Sequence, residues 1–578
     1  METKLSSKLW LLVLALVPLL VFFPVCNNGF VNWDDAGNLL ENFQYRGLGW
    51  PQVSWAWTHS HVGEYRPLAW IMYSIQYTFW GLDPRAYHVV GLCWHIATTV
   101  MLAFCALRIV QRCCPEQFAQ NPRAVKAITL ITALVFQVHP LRTEVVAWVS
   151  IQSYLPSTFF FLLAVFLYFG SSIQAPSKRR LVAIYLCFLV SLLFKVISMP
   201  LPLVLLIADY YVLGRFKERE SAKKAILEKI PLFALSLLFG LLAVWAKQEA
   251  GSLEATAESS LWSRIAQASY GLAFFPIKTL LPIQLRALYS QPEGTEWTSP
   301  LLLASFIFAV SATGVSAHFH KRWPAVTATW LAYLILLFPN LGVIKSNFAL
   351  TADRYGYLPM MAALPLSIYL LCICARRVSF EKIVGLLLLV VIPLGVLSWR
   401  QSETWHSSFT LWANVIAQGD KSPEARNNIG GDLLDHGRAD EAYPYFLEAL
   451  RLKPTHIKSL DNLGLYYFQK GNTPQAARQF SQALQQDPGN ARILGHLAVS
   501  FLQMGNTEAG WKTLQRALRI QPSDPDLLSY RGLALAQDKQ FEAAARDFSQ
   551  VLELRPTDEN ARRNLANALE QQRAPSPP

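Results

Sequence analysis

The sequence predicts an all-α protein in two parts, a polytopic helical membrane domain followed by an α-solenoid of helix-pair repeats. Three observations predict it. Hydrophobic residues make up 53% of the 578-residue chain and charged residues 16%, against roughly 25% charge in an average soluble domain. The apolar residues concentrate before Arg400 in runs long enough to cross a bilayer. Beyond Arg400, Pro454, Pro488, Pro522 and Pro556 recur every 34 residues, a period that belongs to stacked helical units.

The membrane domain is expected over 1–399. Lys4 and Lys8 precede an apolar run from Leu9 to Val25. Phe23-Pro24-Val25 offers no small-x-small cleavage site, so the run is read as a retained first span. Further apolar runs follow at about 86–109, 124–139, 145–169, 181–197, 199–213, 230–247, 263–282, 300–317, 323–339, 355–375 and 382–399, giving about 11–12 apolar segments. From Arg400 onward 20 Lys and Arg face 20 Asp and Glu, so the whole net charge of +12 belongs to the apolar half. Charge placed between apolar runs sets membrane topology, and a nucleic-acid partner is excluded on that ground. The eight cysteines all precede Arg400 and show no paired metal-ligand spacing, which argues against a disulfide scaffold and a structural zinc site.

With the N-terminus inside, the clusters Arg108/Arg112/Arg123/Lys126, Lys178/Arg179/Arg180, Arg215/Lys217/Arg219/Lys223/Lys224 and Arg376/Arg377/Lys382 all fall on the cytoplasmic side, and the acidic loop with Glu249, Glu254 and Glu258 falls outside. Lys321/Arg322 joins the cytoplasmic set if 263–282 is re-entrant or a non-spanning hairpin. Eleven crossings then place everything after Trp399 on the external face. The long first external loop, 26–85, is rich in tryptophan (Trp50, Trp55, Trp57, Trp70, Trp80), as an aromatic belt would be, and its stretch Pro67 to Trp80 suits a helix lying in the interface.

Residues 400–423 are expected to be a connector or half repeat and 424–570 the repeats. Gly430, Gly464, Ala498, Gly532 and Ala566 share one position, and Ala442, Ala476, Gly510 and Ala544 another. Small residues recur where two helices cross closely, and Pro closes each unit. This is the tetratricopeptide pattern, with four full units, a partial one, and a disordered tail over 571–578. Such a solenoid offers a concave face to an extended peptide or a partner helix.

Chemistry-bearing residues gather in loops assigned to one side: Asp34 and Asp35 in the first, His139, Arg142 and Glu144 in the next, and Lys345, Asp353 and Arg354 in a late one. The chemistry this suits is transfer of a sugar from a lipid phosphate. An acceptor hydroxyl ionises far above pH 7 and needs a carboxylate base, which Asp34 or Asp35 could provide. The phosphate leaving group needs a cation, for which Arg66, Arg142 and Arg354 are candidates. Lys195 and Asp209 sit in apolar runs, where ionisable groups are functional or paired. Each residue also has a plainer reading: Asp34-Asp35 or Asp353-Arg354-Tyr355 as helix caps, His139-Pro140 as a span terminus, Glu144 paired to Arg142, Lys195 paired to Asp209.

Taken together, Val31-Asn32-Trp33-Asp34-Asp35, Glu64-Tyr65-Arg66-Pro67-Leu68, Tyr87-His88, His139-Pro140-Leu141-Arg142-Thr143-Glu144-Val145-Val146-Ala147-Trp148 and Ala352-Asp353-Arg354-Tyr355-Gly356-Tyr357-Leu358-Pro359, in that order and followed by the repeats, resemble the GT-C superfamily of polytopic glycosyltransferases. The resemblance is strongest to bacterial relatives of the transmembrane and tetratricopeptide repeat containing protein O-mannosyltransferases. It implies that the acidic pair carries the catalytic base, that Glu144 assists or joins Asp35 at a divalent metal site, and that Arg354 lies near the lipid phosphate. It also brings His88 and Tyr355 to the substrate-binding set of Arg66, His139, Arg142, Lys195, Asp353 and Arg354. The implied donor is a polyprenyl (dolichyl or undecaprenyl) phosphate sugar. One departure stands out: where relatives tend to carry charge after the Trp-Val-Ser, this chain reads Ile151-Gln152-Ser153-Tyr154-Leu155.

The expectation is therefore an integral membrane enzyme that glycosylates a protein hydroxyl on the external face, with inversion, the repeats recruiting the acceptor. The absence of any Asn-x-Ser/Thr sequon points to a bacterial inner membrane with the repeats in the periplasm. Two rivals are a non-catalytic membrane scaffold whose repeats bind an envelope or secretion partner, and an oligosaccharide ligase.

Overall fold

The computed structural model describes residues 2–113, 115–170, 176–251, 261–290, 299–342, 349–375 and 378–573. They fall into two compact units, the first reaching Gln418 and the second beginning at Gly419. The boundary expected at 399 therefore lies nearly twenty residues later. The segment expected as a connector or half repeat is instead the end of helix Phe380–Glu403 followed by helix Ser408–Ala417. Leu411, Trp412 and Val415 bury one face of the latter. It is tied to the first loop by Trp412 Nε1 donating to Asn32 Oδ1 at 2.7 Å and Asn32 N donating to Ser408 Oγ at 3.0 Å.

In the first unit the apolar runs become helices, and the residues flanking them set where they start. Asn121, Ser177 and Ser299 each accept a backbone N–H of the turn that follows, opening Pro122–Gln137, Lys178–Phe194 and Pro300–His318. Tyr154–Phe169 packs against Lys178–Phe194 and against Pro84–Cys113, which also packs on Pro122–Gln137. Among the described residues six helices are long and apolar enough to cross a membrane, or seven if the bent pair Pro122–Gln137 and Pro140–Ala147 is one span. The expected eleven crossings are fewer as single helices because breaks divide the apolar runs. One break is His139-Pro140, and another is Lys195, where the chain leaves helix Lys178–Phe194 for a short turn before Leu201–Tyr211. Residues 263–282, expected as re-entrant or as a hairpin, lie for the most part in one helix, Leu261–Leu280. Among the described residues the helical fold is interrupted by one antiparallel ribbon, Tyr289–Ser290 paired with Ala349–Thr351.

The expected helix Pro67–Trp80 is present, yet Trp70 and Tyr73 are fully buried in an aromatic core with Tyr45 and Tyr87. Trp70 is thus a core residue and not part of a belt. The pairing of Lys195 with Asp209 does not form. Lys195 reaches Glu64 instead. Asp209 accepts from Lys229 Nζ, Tyr168 Oη and Arg215, and Arg215 grips Glu228 through two nitrogens at 2.7 and 2.8 Å.

The second unit is built of four helix pairs, Pro423–Asp435 with Ala439–Leu452, Ile457–Gln469 with Thr473–Gln486, Ala491–Gln503 with Thr507–Ile520, and Pro525–Gln537 with Phe541–Leu554, and a last helix Glu559–Arg573. The repeated small residue explains the packing. A Cβ at Gly430 would stand 2.5 Å from the Phe446 ring, and one at Gly532 2.7 Å from the Phe548 ring. Helix continues through Arg573, so the disordered tail expected from 571 does not begin there, and 574–578 lie outside the described residues.

Candidate functional site

Five loop regions distant in sequence meet around a cavity of about 280 Å³ in the first unit. Its lining carries Asp34, Glu64, Arg66, Lys195, Lys247, Arg354 and Tyr355, backed by Asn38, Trp148, Ser150, Ile151 and Tyr154. Of the residues expected from sequence, Asp34, Arg66, Lys195, Arg354 and Tyr355 are brought together there. Lys345, named beside Arg354, lies outside the described residues, as do Glu254, Glu258, Arg376 and Arg377.

The adjacent aspartates have opposite environments. Asp34 is exposed to the cavity. Asp35 is 1% exposed. Its Oδ2 accepts Val31 N at 3.0 Å, and its Oδ1 accepts Ser150 N at 2.9 Å and Ser150 Oγ at 2.5 Å. Burial pushes its carboxyl up to about 6, although those hydrogen bonds favour the charged form. Asp35 thus pins the first loop to the turn Val149–Ile151, and this pinning leaves Asp34 on the cavity side.

Glu144 sits behind the cavity wall. It does not pair with Arg142; its Oε2 accepts Arg354 N at 2.7 Å and its Oε1 accepts Arg354 Nη1 at 2.5 Å. Both carboxylate oxygens are spent on orienting Arg354, whose guanidinium lies 5.0 Å from the Trp148 ring and 4.8 Å from Tyr355. Trp148 packs on Trp33 at 6.1 Å, and Trp33 meets Trp412 edge-on at 4.6 Å, so an aromatic cluster backs the cation.

Across the cavity Arg66 donates to Ser150 O and Asn38 Oδ1, both at 2.9 Å, and stacks on Trp70 at 4.7 Å. Glu64 lies 3.4 Å from Arg66 and pairs with Lys195. Burial alone would raise the Glu64 carboxyl, but Lys195 and Arg66 hold it down to about 2. Glu64 is carried by a tight turn whose bridge joins His61 and Glu64 and whose Val62 has φ 49°, a strained conformation for a β-branched residue.

The other expected residues do not line the cavity. His139 accepts Leu141 N through Nδ1 at 3.2 Å and meets Thr279 O through Nε2, which makes it a turn-former at the end of its helix. Arg142 is buried, donates to Gly356 O at 3.3 Å and lies over the Phe136 ring. Asp353 accepts Tyr289 Oη at 2.8 Å, and His88 is buried facing Gly29 O at 3.5 Å. Among the described residues no group of three or more His, Cys, Asp or Glu side chains is placed to hold a metal. Asp35 and Glu144 do not fit that role, because both oxygens of each are committed to the protein's own donors.

Glu64, Lys247 and Tyr154 were missed as site residues. Glu64 had a signal, since it is two residues from Arg66 in a quoted motif. Lys247 had another, because a lysine at the external end of an apolar run breaks the charge trend that placed the other basic clusters.

A tetratricopeptide repeat model matches residues 467–531. The chain is similar to human protein O-mannosyl-transferase TMTC1, 24% identical over 453 residues that cover 69% of this chain and 49% of that protein. It is also similar to mouse protein O-mannosyl-transferase TMTC3, 23% identical over 498 residues, covering 76% and 50%. The chain thus spans about half the length of the curated relatives it matches. Among solved structures, a thermophilic tetratricopeptide repeat protein of Thermus thermophilus matches with a TM-score of 0.26 at 18% identity, over 31% of this chain and 95% of that one.

Proposed function

We propose that this chain is a membrane glycosyltransferase that moves a sugar from a polyprenyl phosphate to a hydroxyl of a protein acceptor on the external face, with inversion, and that the repeats recruit the acceptor. The observation that carries the reading is the placement of Asp34 in one cavity with Arg66, Lys195 and Arg354, drawn from three loops far apart in sequence. The similarity to protein O-mannosyl-transferases supports it. So does the topology inferred from charge, which puts all of these loops on one side.

Asp34 is the base in this reading. Its carboxylate takes the proton of a Ser or Thr hydroxyl as that oxygen attacks the anomeric carbon. The bond from the anomeric carbon to the phosphate oxygen breaks, and the phosphate leaves with the electron pair. Attack from the face opposite the phosphate inverts the anomeric centre. Arg354, held by Glu144 through one nitrogen and its backbone N–H, keeps its other edge for the phosphate, where bidentate geometry favours arginine. Asp35 is a positioning residue, acting through Ser150 and the loop that carries Asp34. Ile151 and Tyr154, which stand where relatives tend to carry charge, line the cavity and give its wall an apolar patch suited to a sugar ring face. A bacterial inner membrane, with the repeats in the periplasm and an undecaprenyl phosphate donor, is the setting this reading takes. Tethering by the repeats raises the effective concentration of a weak peptide acceptor.

The test is glycopeptide mass analysis of envelope proteins from cells with the wild type, with Asp34→Asn and with no protein. A hexose-sized adduct is expected with the wild type alone. The same adduct at wild-type level with Asp34→Asn would remove Asp34 from the mechanism.

A further inference from the structure

We infer that Lys247 anchors the donor phosphate, an inference that rests on the glycosyltransferase reading above. Among the described residues the cavity lining holds four cations, Arg66, Lys195, Lys247 and Arg354, against two carboxylates, Asp34 and Glu64. Three of the cations are already engaged by protein acceptors. Lys195 is paired with Glu64 and lies 5.1 Å from the Tyr154 ring. Arg66 is bonded to Ser150 O and Asn38 and flanks Glu64. Arg354 is bonded to Glu144, a carboxylate behind the wall that offsets its charge. Lys247 has no hydrogen-bond or ion-pair partner among the described residues, and it is half-buried against the cavity.

Its position is fixed by its helix. Lys247 lies in the last turn of Ile230–Glu249, and two residues on Glu249 accepts Ser60 Oγ, which ties that helix end to the loop bearing Glu64. The ammonium is felt by Glu64 across the cavity but is not neutralised by it. A partly desolvated ammonium that shares Glu64 with Lys195 is incompletely compensated, and an anion entering the cavity relieves that cost. The anion that fits is a phosphate ester. As the bond to the sugar breaks, the phosphate goes from one negative charge to two, and a compact, mobile ammonium follows that change better than a guanidinium held in place by Glu144. Arg354 then orients the phosphate and Lys247 takes up the charge that develops.

The test uses the full chain purified in detergent, with farnesyl phosphate as the probe and farnesol and inorganic phosphate as controls. Farnesyl phosphate is expected to raise the apparent Tm of the wild type and of Lys247→Arg. Lys247→Gln is expected to lose most of that rise, with affinity lower by about tenfold to a hundredfold. In the wild type, farnesyl phosphate should also protect Lys247 from an amine-acylating reagent, read by peptide mass spectrometry, whether or not the Gln variant folds. Farnesol should do neither. An equal Tm rise in Lys247→Gln, or no protection of Lys247 while the Tm rises, overturns the assignment and leaves the cavity reading standing. Protection by inorganic phosphate at the same concentration as farnesyl phosphate would make this a soluble-anion site and overturn the lipid assignment. No Tm rise in the wild type with farnesyl phosphate overturns the lipid-phosphate reading of the whole cavity.

Discussion

Two charged clusters in the first unit use the same residue types and differ in closure. Around Asp209, two acids, two bases and a tyrosine satisfy one another: Lys229, Arg215 and Tyr168 converge on Asp209, and Arg215 closes on Glu228. All five side chains are less than a tenth exposed. Around the cavity, Glu64 and Lys195 close on each other and Glu144 closes on Arg354, but Lys247 has no described partner. Buried charge that is internally matched holds helices together. Charge presented to a cavity is what a ligand can use. The difference predicts which substitutions remove activity and which remove the fold.

The largest effect is expected at Asp34. Asp34→Asn should lower transfer by about 100-fold to 10,000-fold, the range of a lost general base, while the exposure of its side chain keeps the change in apparent Tm small. Glycopeptide yield and thermal unfolding, measured on the same preparations, check both halves. A large drop in Tm would place Asp34 with the closed cluster instead.

Asp209→Asn should do the reverse. Removing one partner of a buried ionic network costs about 3–5 kcal/mol, because Lys229 and Arg215 are left buried without it. The expected result is a steep fall in apparent Tm, with transfer per folded molecule preserved in the fraction that remains folded.

The distinction between these clusters was only half legible in the sequence. Helices and repeats were, because periodicity is local: the 34-residue step and the apolar runs mark the repeat helices and most of those in the first unit. Pairings across long separations were not. Glu144 has Arg142 two residues away but bonds Arg354, 210 positions on, and Lys195 bonds Glu64 and not Asp209. Asp34 and Asp35 are neighbours of one type, so only Ser150, brought in by the turn after Trp148, separates a buried anchor from an exposed carboxylate. His139 and Arg142 read as site residues from their loop and charge, yet His139 closes a turn and Arg142 donates to Gly356 O. The boundary near 418 was missed because the helix Ser408–Ala417 looks like half a repeat until Trp412 finds Asn32.

Asp35 gives the fold a pH signature. Its carboxyl is raised from 3.8 in the unfolded chain to about 6 in the fold. The protonated form is therefore favoured by folding: the contribution is fully present below pH 4 and is lost as pH rises through about 6. Wild type should lose about 2–3 kcal/mol of stability across that window relative to Asp35→Asn. Parallel unfolding curves from pH 4 to 7 check the sign, and a wild type that gains stability on the variant as pH rises would show that the Ser150 and Val31 hydrogen bonds outweigh burial.

The smallest effect sharpens the comparison from the second unit, where packing and not charge sets the geometry. At Gly464 an added Cβ would press on the Phe480 ring, as at Gly430 with Phe446 and Gly532 with Phe548. Phe480 is fully buried, so it has little room to move aside. Gly464→Ala should destabilise the repeat unit by about 1–3 kcal/mol, the cost of overpacking a filled contact. Limited proteolysis of the full chain should show faster cleavage between helices Ile457–Gln469 and Thr473–Gln486. Farnesyl phosphate binding should be unchanged, since the cavity lining lies wholly in the first unit. If acceptor modification falls while that binding holds, the loss lies in acceptor capture by the repeats; if modification also holds, the repeats tolerate local loosening at this position.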